Sequence, residues 1–272
     1  MNKPLSDASL SDEELLAAKA YEELHVPALF RQFAPIVVST AQISPGQRVL
    51  DVACGTGILA RTVATTVTEP GSVSGLDLSP GMLAIARQLA PAIDWQQGAA
   101  ESLPFADNSF DAVVSQFGLM FFQNRPAALK EMMRVLAPGG RLVVAVWDAL
   151  INSQAYPDAV DMLQRLAGQA AADALRAPFV LGNPDQLSEL LADAGAAFVT
   201  VDTHQGRARF PNIKTMVEAD LRGWLPVMGV QLQEAQIALL LNEAETVLSA
   251  YTVAGGQVEF AAPALIASGV KV

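Results

Sequence analysis

The stretch Val49-Leu50-Asp51-Val52-Ala53-Cys54-Gly55-Thr56-Gly57 constrains this chain more than any other. A short apolar run ends in two glycines one residue apart, and apolar residues at helical spacing, Leu59, Val63 and Val67, follow at once. A strand-to-helix junction of this kind lets the backbone approach a ligand, because glycine has no Cβ, and it aims the free N–H groups of the helix at that ligand. The order Gly55-Thr56-Gly57-Ile58-Leu59-Ala60 also satisfies the dinucleotide fingerprint G-x-G-x-x-G/A. Taken alone, it admits either a nucleotide site or a purely structural turn. Asp77, 20 residues after Gly57, stands where a carboxylate accepts both hydroxyls of a ribose, or where it caps the helix begun at Pro80.

The pattern around this turn is that of an α/β fold. Strands are expected at 48–52, 73–78, 93–97, 110–116 and 141–147, and helices at 58–67, 80–89 and 126–136. Ser79 caps the second helix with Pro80 at its first position, and Pro138-Gly139-Gly140 stops the third. Five strands with helical crossovers predict a doubly wound, Rossmann-like, mostly parallel sheet whose ligand lies beyond the carboxyl ends of the strands. Two further β-rich stretches, 198–210 and 258–272, are expected to pair as an antiparallel C-terminal edge. The segments 11–38, 153–177 and 216–253 read as helices without intervening strands.

Composition removes several classes of function. Lys and Arg total 17 against 28 Asp and Glu, and a net charge of −11 repels polyphosphate, so no nucleic-acid partner is expected. Arg207 and Arg209 read as the exposed face of a strand. Cys54 is the only cysteine, and His25 and His204 are the only histidines and lie far apart, so neither a disulfide nor a metal site is expected. Residues 1–14 are polar and acidic, unlike a secretory signal, and no apolar run reaches the roughly 18 residues of a membrane span. The expectation is a cytoplasmic protein without a membrane span; nothing in the pattern fixes its oligomeric state.

Residues that a dinucleotide fingerprint does not need separate the nucleotide readings. They are Asp51, the run Asp77-Leu78-Ser79-Pro80-Gly81-Met82-Leu83, and Gly98-Ala99-Ala100-Glu101-Ser102-Leu103-Pro104-Phe105. Phe110-Asp111, Phe117-Gly118-Leu119 and Arg134-Val135-Leu136-Ala137-Pro138-Gly139-Gly140 follow in order. Together, over residues 48–147, they resemble the motif series of class I S-adenosylmethionine-dependent methyltransferases of the small-molecule type, near the ubiquinone and menaquinone C-methyltransferases. The resemblance implies S-adenosylmethionine as cofactor, S-adenosylhomocysteine as product and a small, partly hydrophobic methyl acceptor. The alternatives are an NAD(P)-binding oxidoreductase, for which no Tyr-x-x-x-Lys pair is present, and a non-catalytic S-adenosylmethionine-binding protein.

The same resemblance implies residue roles. Asp51 takes the ammonium of the methionyl end, Ala53, Gly55, Thr56 and Gly57 shape the turn beside it, and Asp77 takes the ribose. Leu78 and Leu103 sandwich the adenine, with Met82 completing the wall and the Ala100 amide reading its edge. Ala53 stands where many relatives have glycine. Ala99 stands where relatives often have Asp or Asn, and Glu101 is the substitute for that contact or a solvated loop residue. Gln116 and Phe117 lie beside the sulfonium. Cys54 reads as a packed small residue.

No catalytic residue is fixed. His25, Tyr156 and His204 are the candidate bases, against a packing role for His25 between helices. Tyr21, Trp147 and Trp224 are candidates for the acceptor pocket, and Leu221, Trp224, Leu225 and Met228 fit one buried helical stripe. A single catalytic domain over 1–272 is expected. Its Rossmann-like core spans 36–150, 180–211 and 256–272, and a helical cap of 1–35, 151–179 and 212–255 covers the acceptor site.

Overall fold

A computed structural model of the chain describes residues 10–272, so the expectations for residues 1–9 lie outside the described residues. The strands are β1 (Arg48–Val52), β2 (Ser72–Asp77), β3 (Asp94–Gln97), β4 (Phe110–Gln116), β5 (Leu136–Trp147), β6 (Ala197–His204), β7 (Arg207–Phe210), β8 (Val258–Ala261) and β9 (Ala264–Val270). The helices among them are α1 (Asp12–Ala20), α2 (Ala34–Thr40), α3 (Ile58–Ala64), α4 (Pro80–Leu89), α5 (Arg125–Val135), α6 (Tyr156–Leu166), α7 (Gln169–Arg176), α8 (Pro184–Asp193), α9 (Ile213–Ala219), α10 (Leu225–Val227) and α11 (Glu234–Val247). Seven strands form one sheet in the order β3-β2-β1-β4-β5-β9-β6, and β7 and β8 form a separate ribbon. Strands β1 to β5 are parallel, and β9 runs antiparallel between β5 and β6.

The expected doubly wound, Rossmann-like sheet is therefore present, with its antiparallel C-terminal side. The detail differs in two places. Residues 258–272 make two strands, because Ala262-Pro263 interrupts them and proline donates no ladder hydrogen bond. Only β9 joins the main sheet, one position in from the edge; β8 pairs with β7 instead. Strand β5 starts at Leu136 rather than Arg141, and residues 137–140, with Gly139 left-handed at φ 79°, bulge out where the register shifts between Phe110 and Ala112. Lys271 fixes that entry: its ammonium donates to the Leu136 and Met133 carbonyls at 2.7 and 2.8 Å and to Asn108 Oδ1 at 2.9 Å.

Burial follows position in the sheet. β9 is buried along nearly its whole length, whereas edge strand β6 alternates between half-buried and exposed residues. Helix α3 stops at Ala64 rather than Val67, where the β-branched run Thr65-Thr66-Val67-Thr68 begins and Thr65 turns its hydroxyl back to the Thr62 carbonyl. Arg207 and Arg209 do lie on an exposed strand face, where both pair with Glu259. No helix of the described residues is long and apolar enough to cross a membrane.

Two stretches are π-helical, Tyr21–Phe30 and Asp220–Trp224. The second interrupts the expected stripe: Leu221 and Leu225 are buried, Trp224 half-buried and Met228 exposed. Asp220 begins it as a buried carboxyl that burial alone pushes up to about 7. Folding thus favours its protonated form, a contribution complete below the ordinary carboxylate value near 4 and lost as the pH rises through about 7. Asp220→Asn is expected to stabilise the protein by about 2–4 kcal/mol at pH 8 and progressively less towards pH 4. Thermal denaturation of both proteins across that range checks this, and a difference independent of pH would contradict it.

Candidate functional site

The turn after β1 is held in a left-handed conformation at Ala53, Gly55 and Gly57, with φ of 58°, 56° and 87°. Two carboxylates lie beneath it. Asp51, 1% exposed, accepts a 3.0 Å hydrogen bond from the Ala60 amide through Oδ2, while its Oδ1 is buried without a partner. Asp77, at the end of β2, accepts from the Gly55 amide through Oδ2 and from the Ser79 amide through Oδ1, both at 2.8 Å. The cap of α4 is Ser79, whose hydroxyl accepts from the Met82 amide, so Asp77 ties the turn to the start of that helix instead of capping it alone. Burial raises both carboxyls above their usual range, and the charge of Asp77 raises Asp51 further.

The two glycines of the turn serve different ends. A Cβ at Gly57 would collide with the indole of Trp95, so its bareness accommodates a core side chain rather than a ligand, which corrects the expectation from the motif. At Gly55 a Cβ would meet the Tyr21 ring at 3.8 Å, an ordinary contact, so the requirement there is the left-handed backbone. Thr56 is buried and donates its hydroxyl to Glu22 at 2.6 Å, not into open space. Cys54 is buried, and burial raises its thiol well above the usual range, as suits a packed small residue.

On one side of the turn stand the residues expected around an adenine. Leu78 is 67% exposed, Met82, Ala99 and Glu101 are half-buried, and Ala100 and Leu103 are buried. Glu101 accepts from the Asn124 amide at 3.2 Å and so joins this loop to the start of α5. On the other side, at the carboxyl ends of β4 and β5, aromatic rings gather. Phe117, left-handed at φ 57°, stacks on Trp147 at 4.1 Å between centroids, and Phe30 and Phe33 pack on both. Tyr21 stacks on Phe30 at 5.3 Å and on His25 at 5.7 Å. Gln116 donates its amide to the Phe30 carbonyl, leaving Oε1 buried without a partner. Burial lowers His25 to about 4, so its ring is neutral at physiological pH, and its Nδ1 is buried without a partner.

Three further candidates, Tyr156, His204 and Trp224, make other contacts. Tyr156 packs between Phe179 and Phe260 within the helical layer, and burial holds its hydroxyl protonated. His204 ends edge strand β6 opposite Ala264, which in turn pairs with Trp147, placing the histidine two strands away, about 10 Å. Trp224 donates to the Ala174 carbonyl and rests on Phe121. Sequence reasoning overlooked Trp95, Glu22 and Arg61. The ion pair of Glu22 and Arg61 spans 39 positions and has no local pattern, and Trp95 meets Gly57 and Gly75 only through the sheet register.

Gly57→Ala is expected to destabilise the fold by about 2–4 kcal/mol, from overpacking and a left-handed alanine together. In a Trp95→Leu background only the backbone part, about 1 kcal/mol, is expected to remain. Urea denaturation of the four proteins checks this, and equal costs in both backgrounds would contradict it.

Residues 50–144 match the methyltransferase domain family. The chain is 48% identical over 115 residues to a demethylmenaquinone methyltransferase of Renibacterium salmoninarum, covering 42% of this chain and 47% of that one, so the match spans about half the relative's length. It is 36% identical over 185 residues to a demethylmenaquinone methyltransferase of Paenarthrobacter aurescens, covering 62% of this chain and 70% of that one. The fold is similar to that of a Haemonchus contortus phosphoethanolamine N-methyltransferase solved with phosphomonomethylethanolamine and S-adenosylhomocysteine, with a TM-score of 0.60 at 19% identity over 100% of this chain and 62% of that one. With a seven-stranded sheet of this order, a matched domain that includes both Asp51 and Asp77, and 36% identity to a relative across 70% of its length, the chain belongs to the class I S-adenosylmethionine-dependent methyltransferases.

Proposed function

We propose that the protein transfers a methyl group directly, in line, from S-adenosylmethionine to a small, partly hydrophobic acceptor. The observation that carries the reading is Asp51 Oδ1, a buried carboxylate oxygen without a partner beneath a left-handed turn. A buried acceptor atom left unpaired costs free energy, and an ammonium donor at this point offsets that cost. S-adenosylmethionine supplies such an ammonium together with an electrophilic methyl on a good leaving group, and is released as S-adenosylhomocysteine.

The residues of the chain then bind, orient and exclude water. Asp51 holds the ammonium, and Asp77, with lone pairs beyond its two amide bonds, accepts the ribose hydroxyls. Leu78, Met82 and Leu103 flank the adenine and the Ala100 amide reads its edge; Ala99 offers no side-chain contact, and the bond from Asn124 commits Glu101 to the loop. Ala53 and Gly55 shape the turn, and Thr56 and Gly57 support it from behind. In-line transfer chiefly needs the nucleophile held close with water excluded, which suits the buried ends of β4 and β5.

There Gln116, Phe117, Trp147 and Tyr21 form the acceptor side. Their stacked rings suit a flat aromatic acceptor of quinol type, in keeping with the names of the two demethylmenaquinone enzymes. His25, neutral and with Nδ1 free, serves as a hydrogen-bond acceptor that orients a hydroxyl of such a molecule. Tyr156, His204 and Trp224 play no part in this site. The helical segments 10–35, 151–179 and 212–255 cap the acceptor side of a core built from the remaining residues. The net charge of −11 argues against a nucleic-acid acceptor.

Incubation with methyl-labelled S-adenosylmethionine, a demethylated naphthoquinol, transfer RNA and casein tests the reading. Label is expected in the naphthoquinol, and label confined to RNA or protein would overturn it. Asp51→Asn is expected to raise KM for S-adenosylmethionine about tenfold or more, since it removes a charged hydrogen-bond acceptor.

A further inference from the structure

The π-helical stretch Tyr21–Phe30 is fastened at its first turn by a single carboxylate. Glu22 Oε2 accepts from Thr56 Oγ1 at 2.6 Å, and Arg61 Nη2 donates to both oxygens of Glu22, at 2.7 and 3.0 Å. Arg61 Nε also reaches the Gly57 carbonyl at 3.2 Å, so the same guanidinium grips the stretch and the turn. The side chains of Glu22 and Arg61 are only 15% and 23% exposed, which limits solvent screening, and charge-assisted bonds in such a setting exceed surface ion pairs in strength.

The neighbour of Glu22 is Tyr21. Its ring lies against Gly55, and its hydroxyl is close enough to Asp51 and Asp77 that both carboxylates, together with burial, oppose its ionisation. The phenol therefore lies over Gly55, in the turn that joins the two groups assigned above to the ammonium and the ribose of the cofactor. One network thus joins the covering stretch (Glu22), the turn (Thr56 and the Gly57 carbonyl) and α3 (Arg61).

We propose that Glu22 is a positioning residue whose bonds to Thr56 and Arg61 latch the π-helical stretch over the turn, so that cofactor enters and product leaves only when this latch opens. The inference rests on the methyltransferase reading of the same site. Glu22 touches neither cofactor nor acceptor and acts through Tyr21. Loosening it speeds both entry and exit, exit more than entry, because the bonds stabilise the closed, occupied state. KM for S-adenosylmethionine should then rise while kcat is unchanged or higher, whereas a residue needed only for folding would depress kcat and thermal midpoint together.

The test is stopped-flow tryptophan fluorescence with S-adenosylhomocysteine on the full chain, for wild type, Glu22→Gln, Glu22→Ala, Arg61→Ala and the Glu22→Ala/Arg61→Ala double variant. Hydrogen exchange of residues 21–30 in the same proteins reports the latch even where a variant is less stable. The expected result is dissociation about tenfold or more faster for Glu22→Ala and intermediate for Glu22→Gln, which keeps an acceptor for Thr56. The double variant should be no faster than Glu22→Ala, and the added exchange should be confined to 21–30. Wild-type dissociation and exchange in Glu22→Ala, or additive effects in the double variant, would overturn the latch while leaving the cofactor reading intact. A wild-type chain that does not bind S-adenosylhomocysteine would overturn the cofactor reading and the latch with it.

Discussion

Two carboxylates, Asp51 fully buried and Asp77 half-buried, stand at the ends of neighbouring parallel strands, and the local structure is arranged around the cost of withdrawing them from water. An ion withdrawn from water carries a penalty of several kcal/mol unless donors replace its hydration. Here the donors are backbone amides: Ala60 for Asp51, and Gly55 and Ser79 for Asp77. Delivering them requires the left-handed turn between β1 and α3 and the tight start of α4. It also fixes packing across the sheet, because Asp51, Gly75 and Trp95 occupy one row of the β1-β2-β3 register. Trp95 lies over Gly75 and against Gly57, seating the first turn of α3 where its amide can reach Asp51. One oxygen of Asp51 stays unpaired, and the proposed binding of an ammonium rests on that residual demand.

The acceptor side obeys a different physics. Phe117 holds a left-handed φ that costs a phenylalanine of order 1 kcal/mol, and the strain is offset by its amide bond to the Ala145 carbonyl and by the stack on Trp147. The π-helical stretch brings Tyr21, His25 and Phe30 onto that stack, and polar atoms without partners, on His25 and Gln116, stand among the rings. Apolar walls with a few placed polar groups are what a small-molecule site presents.

The parallel core was legible because each of its signals is local. Strand β1, strand β4, the Ser79 cap and the helix from Pro80 to Leu89 lie where pattern and capping chemistry put them. The start of β5 was hidden because Pro138-Gly139-Gly140 has the composition of a stop, while long-range bonds with Lys271 tie Leu136, Gly139 and Gly140 into the sheet. The purpose of Gly57 was misread for a related reason: the motif describes what the backbone can do, and only the sheet register brings Trp95 against it. Tyr156 and His204 were candidates by residue type and Trp224 by its place in a helical stripe, and which rings and carbonyls they meet depends on tertiary placement that no local pattern carries. Glu22 and Arg61 were unreadable, since no periodicity links positions 22 and 61.

The central claim is that Asp51, whose carboxyl burial holds above the usual range in the free protein, becomes the charged partner of the cofactor's ammonium. Calorimetric titration of S-adenosylhomocysteine between pH 5 and 7, repeated in buffers of different ionisation enthalpy, measures the protons exchanged on binding. Net proton release, larger towards the acid end and absent in Asp51→Asn, is the expected result. Binding heat independent of buffer in the wild-type chain would contradict the account.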